Sequence, residues 1–298
     1  MKEVELIGKD KEKTWELESL SFGMGKNVQK FFNKEIKDFT ALAAMEGDVI
    51  ASTVFHLQRP LHFGGDTFST CAVSYVASLP EYRNRGYVRQ ILNGLLKAQA
   101  KKGIVLSSLY AFKIEYYRMF GYEVACDALE YEMKPKHFPK IKGEKYPLEY
   151  VTEDTLKSYV AHFNKRYFYE YNGMYRKSVK DEKNMDKWMI EYDYAVKIKR
   201  IFVGSAKDPK GIFSFHLTKD SKKLVFFDIF LHDRTALNTF LAYAGSFRDQ
   251  AEKIKMHLAE DMRLEWAMDT FYFTRKSSTR QMIRILGLKE LLKRLKVK

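Results

Sequence analysis

The sequence predicts a mixed α/β (α+β) fold built from two similar halves. Strand-like apolar runs alternate along the chain with amphipathic helical segments, which is typical of a sheet with helices on both faces. The order of elements in residues 1–145 recurs after a link rich in Pro and Lys at 135–147, so we expect a domain boundary there. A length of 298 residues with 46% hydrophobic content is enough for two packed cores.

The first half begins with a strand and two short helices and then alternates. A turn at Glu46–Asp48 joins two strands, and its Gly and Asp residues are typical of a hairpin. The predicted strands are Glu3–Gly8, Phe39–Ala44, Val49–Leu57, Thr67–Leu79, Ile104–Leu109, Glu123–Ala125 and Leu129–Met133. The predicted helices are Asp10–Phe22, Asn27–Phe32, Arg85–Lys102 and Lys113–Phe120, the third with a strong apolar face.

The second half repeats this order. We predict helices near Leu156–Asn164, Val179–Tyr192, Thr235–Ala251 and Met262–Met268, and strands near Tyr194–Val203, Gly211–Leu217, Lys223–Leu231 and Lys253–Ala259. The resulting domains are 1–145 and 146–276, followed by a remainder at 277–298.

The net charge of +14 is concentrated in part near the end of the chain. Arg275–Lys298 holds nine basic residues and one acidic residue, which suits an anionic partner. The sequence has neither zinc-ligand spacing nor an aromatic RNA-binding signature, so it does not favour a nucleic-acid partner. It also lacks a signal-peptide core and any run near ~20 apolar residues, so we expect a cytoplasmic protein without a transmembrane segment. Cys71 and Cys126 lie in apolar runs and are expected to be free thiols.

The segment Val73–Arg89 is the most informative part of the chain. A strand ends near Pro80, crosses a short loop that contains Gly86, and leads into a helix. The first N–H groups of a helix are unpaired and lie at the positive end of its dipole, and glycine lets an anion approach the backbone. Arginines in and after the loop add charged donors. We therefore expect a cofactor that carries a pyrophosphate. The corresponding link in the second half, Leu231–Arg234, has no glycine, and we expect no cofactor there.

Two stretches, Val76–Gly86 and Leu109–Glu123, resemble the GNAT superfamily of N-acetyltransferases, and within it the Eis-like (enhanced intracellular survival) branch. They contain V-A-x-x-P-x-x-R running into the R-x-x-G-x-G/A-type loop, and then Y-x-x-F-G-Y-E. The resemblance implies tandem GNAT-like domains, each a mixed, mostly antiparallel sheet flanked by helices. It also implies that residues 277–298 are the start of a truncated sterol-carrier-like domain, with a basic amphipathic tail as the other interpretation.

The resemblance also implies a cosubstrate, acetyl-CoA, and no metal. The pantetheine arm would pair with the backbone of Val76, Ala77 and Ser78, and the pyrophosphate would lie on the backbone N–H groups of Arg85–Val88. The full set of implied cofactor-binding residues is Val76, Ala77, Ser78, Arg83, Asn84, Arg85, Gly86, Tyr87, Val88 and Arg89. Tyr117 matches the tyrosine that protonates the departing thiolate, so it is the implied catalytic acid.

The general base is left unassigned. In Eis-like relatives the C-terminal carboxylate assists, but here it would belong to Lys298 in the truncated segment, and the role is not carried over. Glu46, His56 and Glu115 are conceivable replacements. For the acceptor, an aromatic cluster could line a pocket for a cationic amine, or it could be core packing: Tyr167, Phe168, Tyr169, Glu170, Tyr171 and Tyr175.

These features predict an acetyl-CoA-dependent N-acetyltransferase. A small-molecule or peptide amine would attack the bound thioester directly in a ternary complex, because neither cysteine lies in an activating motif. One alternative is a non-catalytic acyl-CoA-binding regulatory protein that has lost its C-terminal domain. A weaker alternative is a nucleic-acid or anionic-membrane binder acting through the basic tail. The apolar residues of that tail could also form a contact in a homo-oligomer.

Overall fold

The computed structural model describes residues 2–126, 128–191, 195, 197–218, 220, 222–268, 272–277 and 281–295. The terminal carboxylate of Lys298, considered above, lies outside the described residues. The chain forms two compact units. Unit 1 comprises Met1–Cys126, Tyr171–Arg176 and Arg280–Lys298, and unit 2 comprises Asp127–Glu170 and Lys177–Thr279. The sequence predicts domain boundaries at 145 and 276. Each unit instead combines segments that lie before and after both of these positions.

In unit 1 the strands and helices largely follow the predicted order. The strands are β1 (Lys2–Leu6), β2 (Thr40–Glu46), β3 (Val49–Phe63), β4 (Asp66–Ser78), β5 (Leu106–Tyr110), β6 (Glu123–Val124) and, from the end of the chain, β14 (Gln281–Ile285). The helices are α1 (Trp15–Phe22), α2 (Gln29–Glu35), α3 (Tyr87–Lys101), α4 (Ile114–Arg118) and α8 (Leu288–Arg294).

Unit 2 has the strands β7 (Ala128–Met133), β8 (Leu148–Tyr150), β9 (Lys199–Gly204), β10 (Pro209–Leu217), β11 (Lys223–Leu231), β12 (Lys253–Ala259) and β13 (Phe273–Ser277). Its helices are α5 (Leu156–Arg166), α6 (Val179–Glu191) and α7 (Arg234–Gly245). The predicted helix at Met262–Met268 is instead a short 3-10 helix at Leu264–Ala267.

The sheet of unit 1 has the order β1-β2-β3-β4-β5-β14-β6, and only β4 and β5 are parallel. Successive residues of β3 point to opposite faces of the sheet, as the pleat requires, and therefore contact different helices. Val54 joins the core cluster that contains Ile91 of α3, while Thr53 bonds to Glu18 of α1. Helices therefore cover both faces, and the predicted mixed α/β class is confirmed.

Two strands pair elsewhere than the sequence suggests. The prediction that Leu129–Met133 closes the first sheet is wrong, because β7 pairs with β12 and β13 in unit 2. Residues 281–285, expected to open a third domain, form β14 and pair with β5 and β6 in unit 1. Alternating apolar residues identify a strand but not its partner, which depends on non-local hydrogen bonds. A strand from late in the chain thus completes the first sheet.

A second late segment, residues 171–176, also belongs to unit 1. The N–H groups of Gly173 and Arg176 donate to the carbonyls of His62 and Pro60, at 2.8 and 3.0 Å. The Tyr175 hydroxyl lies 2.7 Å from Ser108 Oγ on β5. The segment runs antiparallel along the end of β3 beyond its last pair with β2, and there the Pro60 carbonyl accepts a bond although proline has no N–H to donate. We call residues 171–176 the strap.

The sheet of unit 2 has the order β13-β7-β12-β11-β10-β9-β8, with β11 and β12 parallel. A buried ion network lies beside it. Lys177 Nζ contacts Glu182 at 3.1 Å and also Asp228, and the Arg200 guanidinium contacts Glu182 at 2.8 Å and Asp186 at 2.7 Å. In the part of the chain that the structure describes, no helix is long and apolar enough to cross a membrane.

Candidate functional site

Strands β4 and β5 separate after a short parallel contact. β4 pairs with β5 only through Thr70, Cys71 and Ala72, and then continues to Ser78. The register of β4 with β3 shifts near Tyr75, whose φ of 44° lies in the left-handed region, so the strand bulges there. Among the described residues no strand pairs with 76–78 on the β5 side. This open edge can accept an extended ligand.

The segment after β4 ends in an uncapped helix N-terminus. Gly86 has a φ of 82° and precedes Tyr87, the first residue of α3. The first intrahelical bond runs from the Gln90 N–H to the Gly86 carbonyl at 3.0 Å, and no side chain caps the helix. The N–H groups of the first turn are therefore available to an external acceptor, and the helix dipole favours an anionic one.

Three exposed arginines flank this turn, two in the loop and one in α3. Arg83 Nε lies 3.4 Å from the Ser78 carbonyl, and the Arg85 guanidinium lies 4.9 Å from the centre of the Tyr82 ring. Arg89 is also exposed. The exposed Asn84, with a φ of 61°, completes the loop. The structure thus brings the sequence-predicted loop residues to one end of α3.

The remaining predicted cofactor-binding residues are less exposed. Val76 and Ser78 are half-buried and Ala77 is buried, so their backbone is the part available to a ligand. Val88 is buried in the core cluster with Ile91 of α3. Its β-branched side chain therefore packs inward and leaves the loop surface unobstructed.

Tyr117 lies in α4 with only 3% of its surface exposed. Its ring packs edge-on against Tyr116 and Tyr122, with centroids 5.2 and 6.2 Å apart. It belongs to the same core cluster as Val88, and Val76 packs against that cluster. Burial raises the pKa of Tyr117 well above its ordinary value, and Tyr116 adds to this, so the phenol stays protonated.

The three conceivable bases have different environments. Glu46 accepts a hydrogen bond from the Tyr87 hydroxyl, and this bond lowers the pKa of Glu46. His56 is buried on β3, and burial, aided by Lys102, lowers its pKa to about 4. Glu115 is exposed on α4. The described residues hold no cluster of three or more metal-ligating side chains.

Unit 2 contains a counterpart of the separated strands. β11 pairs with β12 as far as Phe226, and Asp228 has a φ of 51°, matching Tyr75 at the bulge of β4. The helix that follows differs, because Asp233 Oδ1 accepts the Ala236 N–H at 2.8 Å and caps α7. A carboxylate of the protein thus lies where unit 1 leaves N–H groups open, and it would repel a phosphate.

The aromatic cluster proposed for the acceptor is divided between the units. Tyr167 and Phe168 of unit 2 are buried, and Tyr167 stacks on Phe230 with centroids 4.6 Å apart. Tyr175 is packed against β5 in unit 1. Tyr169 is 52% exposed. Three of its six residues, Tyr167, Phe168 and Tyr175, are therefore core packing, whereas Tyr169 and Glu170 are exposed.

Sequence reasoning missed two carboxyls next to the bulge, the buried Glu18 and the half-buried Glu35. Glu18 of α1 accepts a hydrogen bond from Thr53 Oγ1 at 2.6 Å, and Glu35 of α2 accepts one from the Tyr75 hydroxyl at 3.0 Å. A signal for Glu18 was present, because it shares the apolar face of α1 with Trp15 and Phe22 at helical spacing.

Part of unit 1 matches a known protein family. Residues 5–125 match the acetyltransferase (GNAT) domain. The matched range contains the separated strands, the arginine-rich loop, α3 and Tyr117. The region that matches this family therefore contains the geometry described above. No curated protein matches the chain.

Solved structures share the fold of nearly the whole chain. A probable N-acyltransferase from Enterococcus faecalis V583 is 20% identical with a TM-score of 0.79, covering 98% of this chain and 74% of that one. A GCN5-related N-acetyltransferase from Anabaena variabilis is 18% identical with a TM-score of 0.80, covering 96% and 73%. Eis1 from Mycobacterium abscessus is 14% identical with a TM-score of 0.74, covering 98% and 75%.

Proposed function

We propose that this protein is an acetyl-CoA-dependent N-acetyltransferase acting on a primary amine. One observation carries the proposal: within the GNAT domain, an unpaired strand edge leads directly into an uncapped helix N-terminus. An extended amide-bearing arm followed by a pyrophosphate has the right order of groups for these two features. The likeness to Eis1 and the repeated architecture support an Eis-like, tandem GNAT arrangement as part of this proposal.

In this proposal the cofactor-binding residues are those of the β4–α3 connection. The backbone of Val76, Ala77 and Ser78 pairs with the pantetheine amides. The N–H groups from Arg85 to Val88 bind the pyrophosphate, and Arg83 and Arg89 supply side-chain charge. In unit 2 the Asp233 carboxylate caps the N-terminus of α7, which corresponds to that of α3, and keeps it free of cofactor. Unit 2 therefore has a structural or acceptor-shaping role.

Tyr117 serves the leaving group. The amine attacks the thioester carbon, the C–S bond breaks, and the sulfur departs as a thiolate. A thiol has a reference pKa of about 8.5, below that of a phenol, so the thiolate accepts a hydrogen bond from Tyr117 without ionising it permanently. Tyr117 gives its proton to the sulfur as it receives another, which the amine nitrogen releases when the amide forms. Because burial raises the pKa of Tyr117, its ionisation gives no limb in the activity profile below about pH 10.

The test is turnover by a matched pair of variants. Purified protein is incubated with acetyl-CoA and a panel of primary amines, and free CoA is followed with a thiol reagent. We expect amine-dependent release, with kcat reduced about 100-fold or more in Tyr117→Phe and the KM for acetyl-CoA little changed. Tyr116→Phe, on the same helix, is the control and should retain most activity.

Two results would contradict the proposal. Equal activity in Tyr117→Phe and Tyr116→Phe would remove Tyr117 from the mechanism. Tight acetyl-CoA binding without turnover on any amine would instead support the non-catalytic acyl-CoA-binding protein, because that protein needs the same strand edge and helix N-terminus.

A further inference from the structure

The proposed transfer needs a proton acceptor that the site described so far does not supply. An amine acceptor is a cation at neutral pH and must lose a proton before its nitrogen can attack. Glu46 is held by Tyr87, and His56 is buried on β3 with its pKa lowered to about 4, so both are weak bases near neutral pH. Glu115 is exposed on α4.

Glu18 has the properties that these residues lack. Its side chain is fully buried between α1 and the sheet. One carboxylate oxygen accepts the Thr53 hydroxyl at 2.6 Å, and the other, Oε2, has no hydrogen-bond partner among the described residues. A buried carboxyl oxygen without a partner is costly and calls for an explanation, of which a catalytic role is one.

The position of this carboxyl relates it to the cofactor strand. Thr53 lies on β3 and pairs with Ala77 of β4, whose backbone on the opposite, open edge of that strand is proposed to pair with the pantetheine arm. Residues in direct register share one face of the sheet, so Glu18, Thr53 and Ala77 meet on the α1 face, next to the bulge at Tyr75. A groove of about 1040 Å³ lies along α1, lined by Leu17, which precedes Glu18 in that helix, and by Leu79 after β4 among others.

We propose that Glu18 takes up the proton released by the acceptor amine, acting through the Thr53 hydroxyl to which it is bonded. This inference rests on the proposed N-acetyltransferase function. The ammonium gives one proton through Thr53 to Glu18, and the free amine then forms the N–C bond as the C–S bond breaks. Nitrogen loses its second proton as the amide forms. One proton ends on the CoA sulfur through Tyr117, and the other is released to solvent.

The ionisation of Glu18 suits this task. Burial raises its pKa to about 8, and the Thr53 bond opposes part of that rise. A base whose pKa lies near the working pH is the most efficient proton acceptor. The charged groups on the elements packed against α1 bond elsewhere: Glu35 with Tyr75, Glu12 with Asn33, Lys11 with the Phe39 carbonyl, and Lys13 with Asp10.

The experiment is a pH profile of kcat/KM for the full chain with two acceptors whose own amine pKa values differ by about two units. A limb that shifts with the acceptor belongs to the amine, and one that stays near pH 8 for both belongs to the enzyme. We expect the fixed limb in the wild-type protein. In Glu18→Gln we expect it to vanish, with kcat/KM lowered about 100-fold.

Three further variants separate a proton-transfer role from a structural one. Thr53→Val should lose activity as Glu18→Gln does, while Thr53→Ser keeps the hydroxyl and should restore most of it. Glu35→Gln changes the half-buried carboxyl bonded to Tyr75 and should keep the fixed limb. Acetyl-CoA affinity and thermal unfolding of each variant establish that its fold is intact.

The outcomes distinguish the inference from the function on which it rests. Wild-type turnover with the fixed limb still present in a folded Glu18→Gln overturns the role of Glu18 and leaves the acetyltransferase standing. A wild-type protein that acetylates no amine overturns both. If Glu18→Gln does not fold, loss of the limb in Thr53→Val and its return in Thr53→Ser support the inference, and an unchanged limb in Thr53→Val overturns it.

Discussion

Replacing Gly173 tests whether the strap belongs to unit 1. Gly173 has a φ of 82°, and a Cβ there would lie 2.1 Å from Cys126 Sγ and 2.5 Å from Gln281 Oε1. Its N–H donates to the His62 carbonyl at 2.8 Å and its carbonyl accepts from Gln281 Nε2 at 2.9 Å, so the backbone cannot shift without losing these bonds. Gly173→Ala should therefore destabilise unit 1 strongly.

The magnitude follows from two costs. A left-handed conformation costs a non-glycine residue about 1–2 kcal/mol, and overpacking adds about 1–3 kcal/mol. Gly103 is a matched control, because its φ is 80° but a Cβ there would meet nothing within 4 Å. We expect Gly103→Ala to show only the first cost. The difference between the two variants, about 1–3 kcal/mol, then measures the packing of the strap.

The assay is urea unfolding followed by the fluorescence of Trp15, in a Trp188→Phe/Trp266→Phe background so that the signal reports unit 1. Cys126→Ala should recover part of the loss, because it removes the sulfur that the new methyl group meets. Equal unfolding free energies for Gly173→Ala and Gly103→Ala would refute the assignment of residues 171–176 to unit 1.

Three further predictions concern stability. Asp233→Ala should cost unit 2 about 1 kcal/mol by removing the cap of α7, measured by urea unfolding; no loss would contradict the cap. Lys177→Met should cost about 3 kcal/mol in the same assay, because Asp228 loses its lysine partner and Glu182 keeps Arg200 alone of the two cations that it contacts; a neutral effect would mean that the network is solvated. Burial raises the folded-state pKa of Glu18 from 4.5 to about 8, so the folded protein holds this proton more tightly than the unfolded chain does. The free energy of unfolding gained in this way is fully present below pH 4.5 and is lost as the pH rises towards 8. Thermal unfolding of Glu18→Gln should therefore lack that slope, up to about 1.4 kcal/mol per pH unit, and an unchanged slope would place the titration elsewhere.

Local signals in the sequence were sufficient for much of the first sheet. The hairpin at Glu46–Asp48 is confirmed, with Gly47 at a φ of 58°, because its turn chemistry is contained in a few adjacent residues. The predicted helix at Arg85–Lys102 is confirmed as α3, since its apolar stripe and its flanking glycines define both ends. The loop residues of the candidate site follow directly from these two boundaries.

The exchange of strands could not be predicted in the same way. β7 and β14 each have an ordinary strand pattern, and nothing in that pattern states which sheet they join. The end of β3 was also missed: the predicted strand stops at Leu57, whereas β3 continues through Pro60 to Phe63, paired with β4 on one side and with the strap on the other. The strap is distant in sequence, so no local pattern indicates it. Glu18 was overlooked because the role of a buried carboxyl depends on its partner, Thr53, which is distant in sequence.

The most direct test of the central claim is a crystal structure of the chain with CoA bound. We predict that the pantetheine amides pair with the backbone of Val76–Ser78 and that the pyrophosphate oxygens accept hydrogen bonds from the N–H groups of Arg85–Val88, with the sulfur next to Tyr117. CoA bound anywhere else, with the N-terminus of α3 unoccupied, would contradict the claim that this strand edge and helix form an acyl-CoA site.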